Sequence, residues 1–516
     1  MSAKDRTISS TSELSRDHWD TIVIGGGIAG LVSAWESIKA GQTTLLVESR
    51  GYVGGQVASM MVGGAHVDIG AESFAPRGTA VTSMAEELGL KVTAPGGGRS
   101  HYFLPPVPDS AQTTWGLHRF PSGSMMGIPS DPASAEIRAI LGDQGAMRAR
   151  EDLTLPPHVG AECADVASFI EARMGRATLD RLVRPLVAGI HSQDPEKLDV
   201  DRVLPGMRAD LLHHKSLAKA VGARLEKSSG PRGDVSIEGG MQVLIDALTA
   251  EILAKGGTIA TRCGAEAICR TQVSSSDSST VQWQVDIRNT TPAGAPSAEP
   301  RRTPVGRLLT ASRVILACSH APALRVLTPL FPEAQECAFA PGAPIVRSFL
   351  AVRAEALDSA PVGPGLLVSP DISSVVECPV GAKALSQLDV KWAWIADELR
   401  EAHGEHVHLL RLSYGRPGDE DRTPSLGELL HDASMLTGTD LATEDVIDHR
   451  VIHWNGTLAQ ATPNLARRIS ALRQKAESLP GLLICGAWVS GSGIAGVVAD
   501  TRQRVRGERR SFLFDR

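Results

Sequence analysis

Two short apolar runs, separated by a helical pattern, open the chain. The run Thr21-Ile22-Val23-Ile24 is bounded at once by glycines, which is typical of a buried parallel strand. Apolar residues then recur with helical spacing from Ile28 to Ala40, and a second apolar run follows at residues 43–48. Residues 20–48 therefore predict one strand–helix–strand unit, which is the building block of a parallel sheet.

Later segments extend this pattern. The runs at 313–318 and 482–485 predict further buried strands, and the alternation at 281–287 predicts a half-buried strand. Residues 100–230 are rich in helix formers and prolines, which indicates a mostly helical lobe, whereas residues 330–450 mix strand and helix patterns. The predicted fold class is α/β, with a doubly wound, Rossmann-like domain, a mixed-sheet domain and an inserted helical lobe.

Composition and charge narrow the choice of partners. The 516 residues include 52 basic and 58 acidic side chains, a net charge of −6, which does not support a nucleic-acid surface. The seven cysteines are scattered without a C-x-x-C pair, so neither a disulfide framework nor a metal site is predicted. No run of about 18 apolar residues occurs, so no spanning helix is expected. The polar residues 1–16 predict a disordered leader rather than a signal peptide. A cytoplasmic protein is expected, and peripheral membrane contact stays open.

A glycine motif marks the first strand–helix junction. Gly25, Gly27 and Gly30 satisfy G-x-G-x-x-G at the end of a strand and the start of a helix. Gly25 permits a tight turn, Gly27 lets a pyrophosphate approach the backbone, and Gly30 allows close helix–strand packing. The helix begins at Ile28 and presents free N–H groups to the phosphates. Glu48 ends the second strand at the position of the acid that binds ribose hydroxyls, so a dinucleotide is predicted.

Two further segments decide between NAD and FAD. A second glycine pair, Gly54-Gly55, lies just downstream of Glu48, as expected of a chain that runs back along an extended cofactor. Near the other end of the chain, residues 486–494 open a helix directly after a buried strand, and such a helix N-terminus can stabilise phosphate or the negative charge of a reduced flavin. Two anchors at opposite ends of the chain favour FAD.

Together with the motifs above, several short segments resemble the FAD-dependent amine-oxidase/protoporphyrinogen-oxidase superfamily, and within it the porphyrinogen oxidases. The resemblance covers residues from about 20 to 505, and the closing segment is similar to actinobacterial members of the coproporphyrin branch. Two positions depart from the family pattern: Gln56 replaces a basic residue, and His453-Trp454 stands where another motif is usual. The matching segments are DIGAESF (68–74), FPSGSMMGIP (120–129), LVRPLVAGI (182–190), SIEGGM (236–241), KW (391–392), LR (410–411), GR (415–416) and GAWVSGSGIAGVVAD (486–500).

The resemblance implies a set of site residues. Substrate contacts fall on Arg77 as a carboxylate anchor, on Leu366 and Leu367 as an apolar lining, and on Lys391 at the border of the cavity. No catalytic side chain is assigned, because positioning against the flavin can supply most of the catalysis. The implied FAD-binding residues are Gly25, Gly27, Ile28, Ala29, Gly30, Glu48, Ser49, Gly54, Gly55, Gln56, Gly70, Ala71, Glu72, Ser73, Ala265, Trp454, Gly486, Ala487, Ser492, Gly493 and Ile494.

The implied activity is an oxygen-dependent FAD oxidase of haem synthesis. It would oxidise coproporphyrinogen III to coproporphyrin III with release of hydrogen peroxide, and would also accept protoporphyrinogen IX. The implied partners are the tetrapyrrole, dioxygen and other enzymes of haem synthesis. Alternatives left open are a physiological protoporphyrinogen IX oxidase, a flavin amine oxidase, a carotenoid-desaturase-like enzyme and a non-catalytic flavin carrier. Only three tyrosines occur, which disfavours the aromatic cage of amine oxidases.

These assignments predict a division of the chain. Residues 17–100, 230–330 and 450–510 are expected to assemble a discontinuous FAD-binding domain. Residues 330–450 are expected to form a substrate-binding domain, and residues 100–230 the helical lobe. The active site should lie between these units.

Overall fold

The fold is described from a computed structural model that covers residues 7–76, 78–107, 110–191, 193–227, 233–274, 279–293, 298–340, 342–370, 376–454, 462–491 and 493–514. The strands in chain order are β1 (Thr7–Ile8), β2 (His18–Ile24), β3 (Thr44–Val47), β4 (Ser59–Val62), β5 (Ala65–Asp68), β6 (Val92–Thr93), β7 (His101–Leu104), β8 (Gly116–Arg119), β9 (Ser124–Met125), β10 (Ile128–Pro129), β11 (Ser236–Ile237), β12 (Thr258–Ala260), β13 (Cys263–Ser274), β14 (Ser279–Thr290), β15 (Arg302–Leu316), β16 (Val346–Arg353), β17 (Gly365–Val368), β18 (Ala384–Gln387), β19 (Val407–Tyr414), β20 (Val446–His453) and β21 (Leu482–Ile484). The helices are α1 (Ile28–Lys39), α2 (Ala80–Glu87), α3 (Ala135–Arg150), α4 (Val166–Met174), α5 (Arg176–Thr178), α6 (Arg184–His191), α7 (Val200–Val203), α8 (Met207–His214), α9 (Leu217–Lys227), α10 (Gln242–Ala254), α11 (His320–Leu327), α12 (Leu388–Lys391), α13 (Ala393–His403), α14 (Leu426–Thr437), α15 (Pro463–Glu477), α16 (Ala487–Ser490) and α17 (Ile494–Phe514).

The larger sheet has the strand order β1-β12-β3-β2-β15-β14-β13, and β21 pairs with the second half of β15. Strands β1, β12, β3, β2, β15 and β21 run parallel, whereas β13, β14 and β15 form an antiparallel meander. Helices α1, α10 and α17 cover one face, and α11 and α15 cover the other. Apolar side chains alternate between the two faces of β2: Val23 lies in one core and Ile22 in the other. This arrangement confirms the predicted doubly wound α/β fold.

The second sheet is mixed and has the order β20-β16-β19-β18-β17-β7-β8. Helix α14 packs on one face through Leu429 and Leu436, and α13 together with the β4–β5 hairpin covers part of the other face. Two of its contributions differ from the sequence prediction. Strands β7 and β8 come from the segment assigned to the helical lobe, and β20 extends three residues beyond the predicted range 330–450. Strands of four residues next to proline-rich stretches are too short to show a strand period, so the sequence pattern of this segment indicated helix alone.

Helices α3 to α9 form the helical lobe around a core that includes Phe169 and Leu182. A buried ion pair supports this lobe: Arg173 Nε donates to Asp152 Oδ1 at 2.6 Å, and both side chains are fully buried. Asp152 Oδ2 also accepts from the Ser216 hydroxyl at 2.6 Å. The lobe is joined to the second sheet by the Tyr102 hydroxyl of β7, which donates to the Leu182 carbonyl at 3.2 Å.

The prediction of a disordered leader over residues 1–16 is wrong for the described part of this segment. In the described part, from residue 7, strand β1 pairs with β12 at the edge of the larger sheet. The Thr11 N–H donates to Asn289 Oδ1 at 2.9 Å, and Leu14 is buried in the core. The sequence could not indicate this because two strand residues are too few to show a period. Among the described helices, none has the length and apolarity needed to span a membrane.

Candidate active site

The three glycines of the motif have two different roles, which are close packing of the chain and access of a ligand to the backbone. Gly25 adopts a φ of +108°, and a Cβ added there would lie 2.7 Å from Cys318 Cα. A Cβ added to Gly30 would lie 1.8 Å from the Gly25 carbonyl oxygen. By contrast, a Cβ on Gly27 would meet nothing within 4 Å, because this position faces an open cleft. Gly25 and Gly30 are therefore required by packing, whereas Gly27 keeps space free for a group that approaches the backbone.

The N-terminus of α1 faces the same cleft. Its first intrahelical bond joins the Leu31 N–H to the Gly27 carbonyl at 3.0 Å, so the N–H groups of Ile28, Ala29 and Gly30 have no partner within the helix. The glycine pair after β3 braces this loop, since the Gly54 N–H donates to the Gly26 carbonyl at 2.8 Å. Free helix N–H groups above a side-chain-free position form an anion-binding cradle of the kind that holds pyrophosphate.

Glu48 lies at the end of β3 and lines the cleft. Its carboxylate accepts hydrogen bonds from the Gly26 N–H and the Arg50 N–H, both at 2.7 Å, and from the Ser49 hydroxyl at 3.2 Å. Burial raises the pKa of Glu48 although these hydrogen bonds oppose the shift. Two carboxylate oxygens offer about four acceptor sites. The side chain therefore holds the glycine loop and retains acceptor capacity for the hydroxyl groups of a ribose.

The cleft has a volume of about 480 Å³, within the range of about 300–1,000 Å³ that is usual for cofactor sites. It runs along the glycine loop from the meander strand β13 to the start of α17. Five expected cofactor residues do not line it, namely Gly30, Gly70, Glu72, Ser73 and Gly493, and Ser492 lies outside the described residues. The expected residues that do line it are Gly25, Gly27, Ile28, Ala29, Glu48, Ser49, Gly54, Gly55, Gln56, Ala71, Ala265, Trp454, Gly486, Ala487 and Ile494.

Sequence reasoning missed the part of the cleft that follows β15. Cys318, Ser319 and His320 line it, and the His320 ring packs on Phe339 with 4.6 Å between centroids. Burial lowers the pKa of His320. A signal for these residues was present, since the predicted strand at 313–318 belongs to a parallel sheet whose carboxyl ends meet at one edge. Arg302 was also missed; its Nε donates to the Ala265 carbonyl at 3.1 Å and fixes the edge of the cleft there.

The turn after β5 closes the opposite end of the cleft. A Cβ on Gly70 would lie 1.9 Å from the Gln56 carbonyl oxygen, and the Ala71 N–H donates to the same carbonyl at 2.8 Å. The Trp454 indole, which follows β20, donates to the Ile69 carbonyl at 2.8 Å. Gln56, Ala71 and Trp454 thus converge from three segments of the chain. Gly70 acts by allowing the close approach of two backbones rather than by contact with the cleft.

Glu72 and Lys391 form an ion pair with each other. Glu72 accepts from Lys391 Nζ and from the Trp392 indole, both at 2.7 Å, and also from the Arg411 guanidinium. The carboxylate is 9% exposed and links the turn after β5 to the second sheet. Burial lowers the pKa of Lys391 to about 8. The structure therefore places both residues, expected to contact FAD and substrate respectively, in a largely buried cluster that joins the turn after β5 to the second sheet.

The remaining expected substrate residues are distributed differently. Leu366 is 3% exposed in the core beneath α14, whereas Leu367 points to the other face of the sheet, against Gly189 of α6. Alternation along a strand makes it impossible for both to line one slot. Arg77 lies outside the described residues. No cluster of metal-binding side chains occurs in the described part of the chain.

A parallel sheet with a glycine-rich turn, an acid after the second strand, and two helix N-termini along one extended cleft is the arrangement of a protein that binds an extended dinucleotide cofactor such as FAD. The residues fit this cofactor, because the Gly27 cradle lies between an end lined by Glu48 and Ala265 and an end lined by Gln56 and Trp454.

Comparison with known proteins gives the family. A family model described as flavin-containing amine oxidoreductase matches residues 28–503, and the chain belongs to this family. Among curated proteins, a coproporphyrinogen III oxidase of Propionibacterium freudenreichii is 27% identical, over 81% of this chain and 84% of that protein. A coproporphyrinogen III oxidase of Mycobacterium bovis is 28% identical, over 92% of this chain and 94% of that protein.

Solved structures agree with the fold. A crystal structure from Exiguobacterium sp. 255-15, provisionally named a protoporphyrinogen oxidase, superposes with a TM-score of 0.73 at 22% identity and covers 96% of this chain and 100% of its own. Cyclohexylamine oxidase from Brevibacterium oxydans superposes with a TM-score of 0.61 at 16% identity and covers 96% of this chain and 99% of its own. The predicted FAD cofactor and the predicted superfamily are confirmed.

Proposed function

We propose that this protein oxidises coproporphyrinogen III to coproporphyrin III, with FAD as the hydride acceptor and dioxygen as the terminal acceptor. The observation that carries the proposal is the similarity to two curated coproporphyrinogen III oxidases along 81% and 92% of the chain. A two-electron flavin cycle must run three times to remove six electrons, so one tetrapyrrole consumes three dioxygen molecules and yields three of hydrogen peroxide. Protoporphyrinogen IX is proposed as a slower substrate.

The lining of the cleft near Trp454 supports a mechanism in which the protein orients the substrate against the flavin and supplies no acid or base. Bound FAD supplies hydride acceptance and the reduction of dioxygen. The described residues at this end are Gly55, Gln56, Ala71, Trp454 and Ile494, and none of them carries an acidic or basic side chain. A bridge carbon flanked by two pyrroles can release hydride and then lose a pyrrole proton to water, so no side-chain base is required. The protein therefore acts by orienting the macrocycle against the flavin.

We assign the units of the chain to roles in the same way. The larger sheet and its helices bind FAD, the second sheet faces the substrate, and the helical lobe closes the slot. Leu367 fits an apolar slot, because its side chain extends from β17 of the second sheet toward Gly189 of α6 in the lobe. Leu366 is omitted from this proposal because it is buried on the opposite face. The role of Arg77 as a carboxylate anchor is supported by the family resemblance alone.

An anaerobic reaction tests the chemistry directly. The FAD-loaded protein is mixed with coproporphyrinogen III under argon, and the flavin absorbance is followed. The proposal predicts bleaching of the flavin, with three flavins reduced for each coproporphyrin formed, and recovery of the oxidised spectrum when oxygen enters. An unchanged flavin spectrum with this substrate, together with bleaching by an amine, would replace the proposal with an amine oxidase.

A further inference from the structure

The part of the cleft beyond Glu48 is the end that faces the adenine of a dinucleotide. In a Rossmann-like domain the pyrophosphate lies at the N-terminus of the first helix, and the acid after the second strand binds the adenosine ribose. Gly27 and Glu48 line the cleft at the positions of these two contacts. The adenine is attached to this ribose, so it extends from Glu48 away from the end lined by Gln56 and Trp454.

The chain after β15 brings His320 to this adenine end. Burial and the negative charge of Glu48 both raise the pKa of Cys318, so the Cys318 side chain lies close to that carboxylate. Helix α11 begins two residues later, at His320. Leu324 of α11 belongs to the same apolar core cluster as Ala265 of β13, the residue at the edge of the cleft. His320 therefore lies at the same end of the cleft as Glu48 and Ala265.

His320 and Phe339 form an aromatic wall there. Both side chains line the cleft and are partly buried, and their ring centroids are 4.6 Å apart with 51° between the ring planes. Burial lowers the pKa of His320, so its imidazole is neutral at pH 7. Two rings tilted in this way offer a third flat ring both a face and an edge, which are the contacts that aromatic rings prefer.

The segment before β15 bounds the same end of the cleft. The Ala298 carbonyl accepts from Arg50 Nη2 at 2.9 Å, and Arg50 follows β3. The next residue, Glu299, accepts from Arg325 Nη2 of α11 at 2.8 Å. These two bonds tie the segment to the chain after β3 and to α11, so it crosses the end of the cleft. Glu299 and the buried Pro300 line the cleft at this crossing.

We propose that His320 and Phe339 hold the adenine ring of FAD by stacking, and that this contact favours FAD over FMN. The enclosed end of the cleft has the chemistry that a flat, uncharged heteroaromatic ring requires, since it combines two rings with a proline. Stacking on an aromatic side chain is a common way to bind a nucleobase. The inference does not depend on the proposed porphyrinogen substrate, because the adenine lies at the opposite end of the cofactor from the flavin ring.

Binding to the full-length, flavin-free protein tests the stack without turnover. FAD, FMN and AMP are titrated by calorimetry against the wild type, His320→Ala and Phe339→Ala. FMN has a flavin and a phosphate but no adenine, whereas AMP has the adenine but no flavin. The matched control is His158→Ala, because His158 is an exposed histidine of the helical lobe.

Each of the two alanine variants should weaken FAD and AMP about 10-fold, the loss expected for one base–aromatic stack, and should change FMN less than about 2-fold. His320→Phe should keep the affinity for FAD within about 2-fold of the wild type, because a benzene ring can stack in place of the imidazole. Unchanged affinity for AMP, or equal weakening of FAD and FMN, would overturn the proposal. A His320→Phe protein as weak as His320→Ala would also overturn it, since the imidazole would then act through a hydrogen bond.

A stability measurement separates contact with adenine from packing of α11. The urea midpoint of flavin-free His320→Ala should match that of the wild type, because the imidazole is only partly buried. A lower midpoint together with equal losses of FAD and FMN affinity would assign the ring pair to packing instead. These measurements use no porphyrinogen, so failure of the proposed function leaves their outcome unchanged.

Discussion

Alanine at Gly27 should weaken FAD binding about 10- to 100-fold in a protein that still folds, whereas alanine at Gly30 should destabilise the fold itself. The two glycines belong to one motif and lie three residues apart, yet their surroundings differ. A Cβ at Gly27 would meet nothing within 4 Å, and a Cβ at Gly30 would lie 1.8 Å from the Gly25 carbonyl oxygen. The pair therefore separates access of the cofactor from packing of the chain.

The magnitudes follow from these distances. Gly27 has φ −70° and ψ −179°, an extended conformation that alanine adopts without strain, so the free energy of unfolding of the apoprotein should change by less than about 0.5 kcal/mol. At Gly30 the carbonyl must move by more than 1 Å to restore an ordinary contact of at least 3.4 Å, and such overpacking costs about 1–3 kcal/mol. At Gly27 a comparable clash would arise with the bound pyrophosphate, which weakens FAD by about 10- to 100-fold.

The assay uses flavin-free protein. Urea denaturation followed by circular dichroism compares stabilities, and quenching of FAD fluorescence gives the dissociation constants. Gly27→Ala should have the same free energy of unfolding as the wild type and a dissociation constant for FAD about 10- to 100-fold higher. A Gly27→Ala protein that binds FAD with wild-type affinity, or one whose apoprotein is as unstable as Gly30→Ala, would refute the assignment of the cradle.

Three other substitutions test the buried charges. Glu72→Gln removes the counter-charge of Lys391 and Arg411 and should cost about 3–5 kcal/mol, seen as a lower thermal midpoint; an unchanged midpoint would contradict the role of Glu72 in joining the turn after β5 to the second sheet. Asp152→Asn should destabilise the helical lobe by a similar amount while FAD content stays at the wild-type level, and loss of FAD would contradict the separation of lobe and cleft. Burial opposes the charged form of His408, but its ion pairs with Asp389 at 2.8 Å and Asp358 at 2.9 Å prevail and raise its pKa. The stabilisation is therefore complete below the unfolded pKa of about 6.5 and is lost as pH rises through the higher folded pKa. His408→Gln should accordingly lower the thermal midpoint at pH 6 and have little effect at pH 9, and an effect of equal size at both values would contradict the charged form.

The cofactor half of the site could be predicted because its signals are local. The turn from β2 to α1 requires glycine at fixed positions, and the acid Glu48 follows in the next strand, so one short window holds the whole pattern. The same logic could have found Cys318 and His320, since β15 is another parallel strand whose end meets the same edge.

The cluster of side chains around Glu72 could not be predicted. Glu72 meets Arg411 and Trp392 across 339 and 320 residues of sequence, and the three separate family motifs that contain these residues do not reveal that they pair with one another. Adjacent leucines illustrate a different limit. Residues 366 and 367 point to opposite faces of β17, because successive side chains of a strand alternate between its faces. This alternation could have been predicted from the sequence.

Oxidation of coproporphyrinogen III is tested most directly by side-by-side kinetics. Purified protein with a flavin spectrum is incubated aerobically with coproporphyrinogen III and, separately, with protoporphyrinogen IX, while porphyrin fluorescence and hydrogen peroxide are followed. We expect a higher kcat/KM for coproporphyrinogen III and three peroxide molecules for each porphyrin formed. Faster oxidation of protoporphyrinogen IX, or no oxidation of either by flavin-loaded protein, would contradict it.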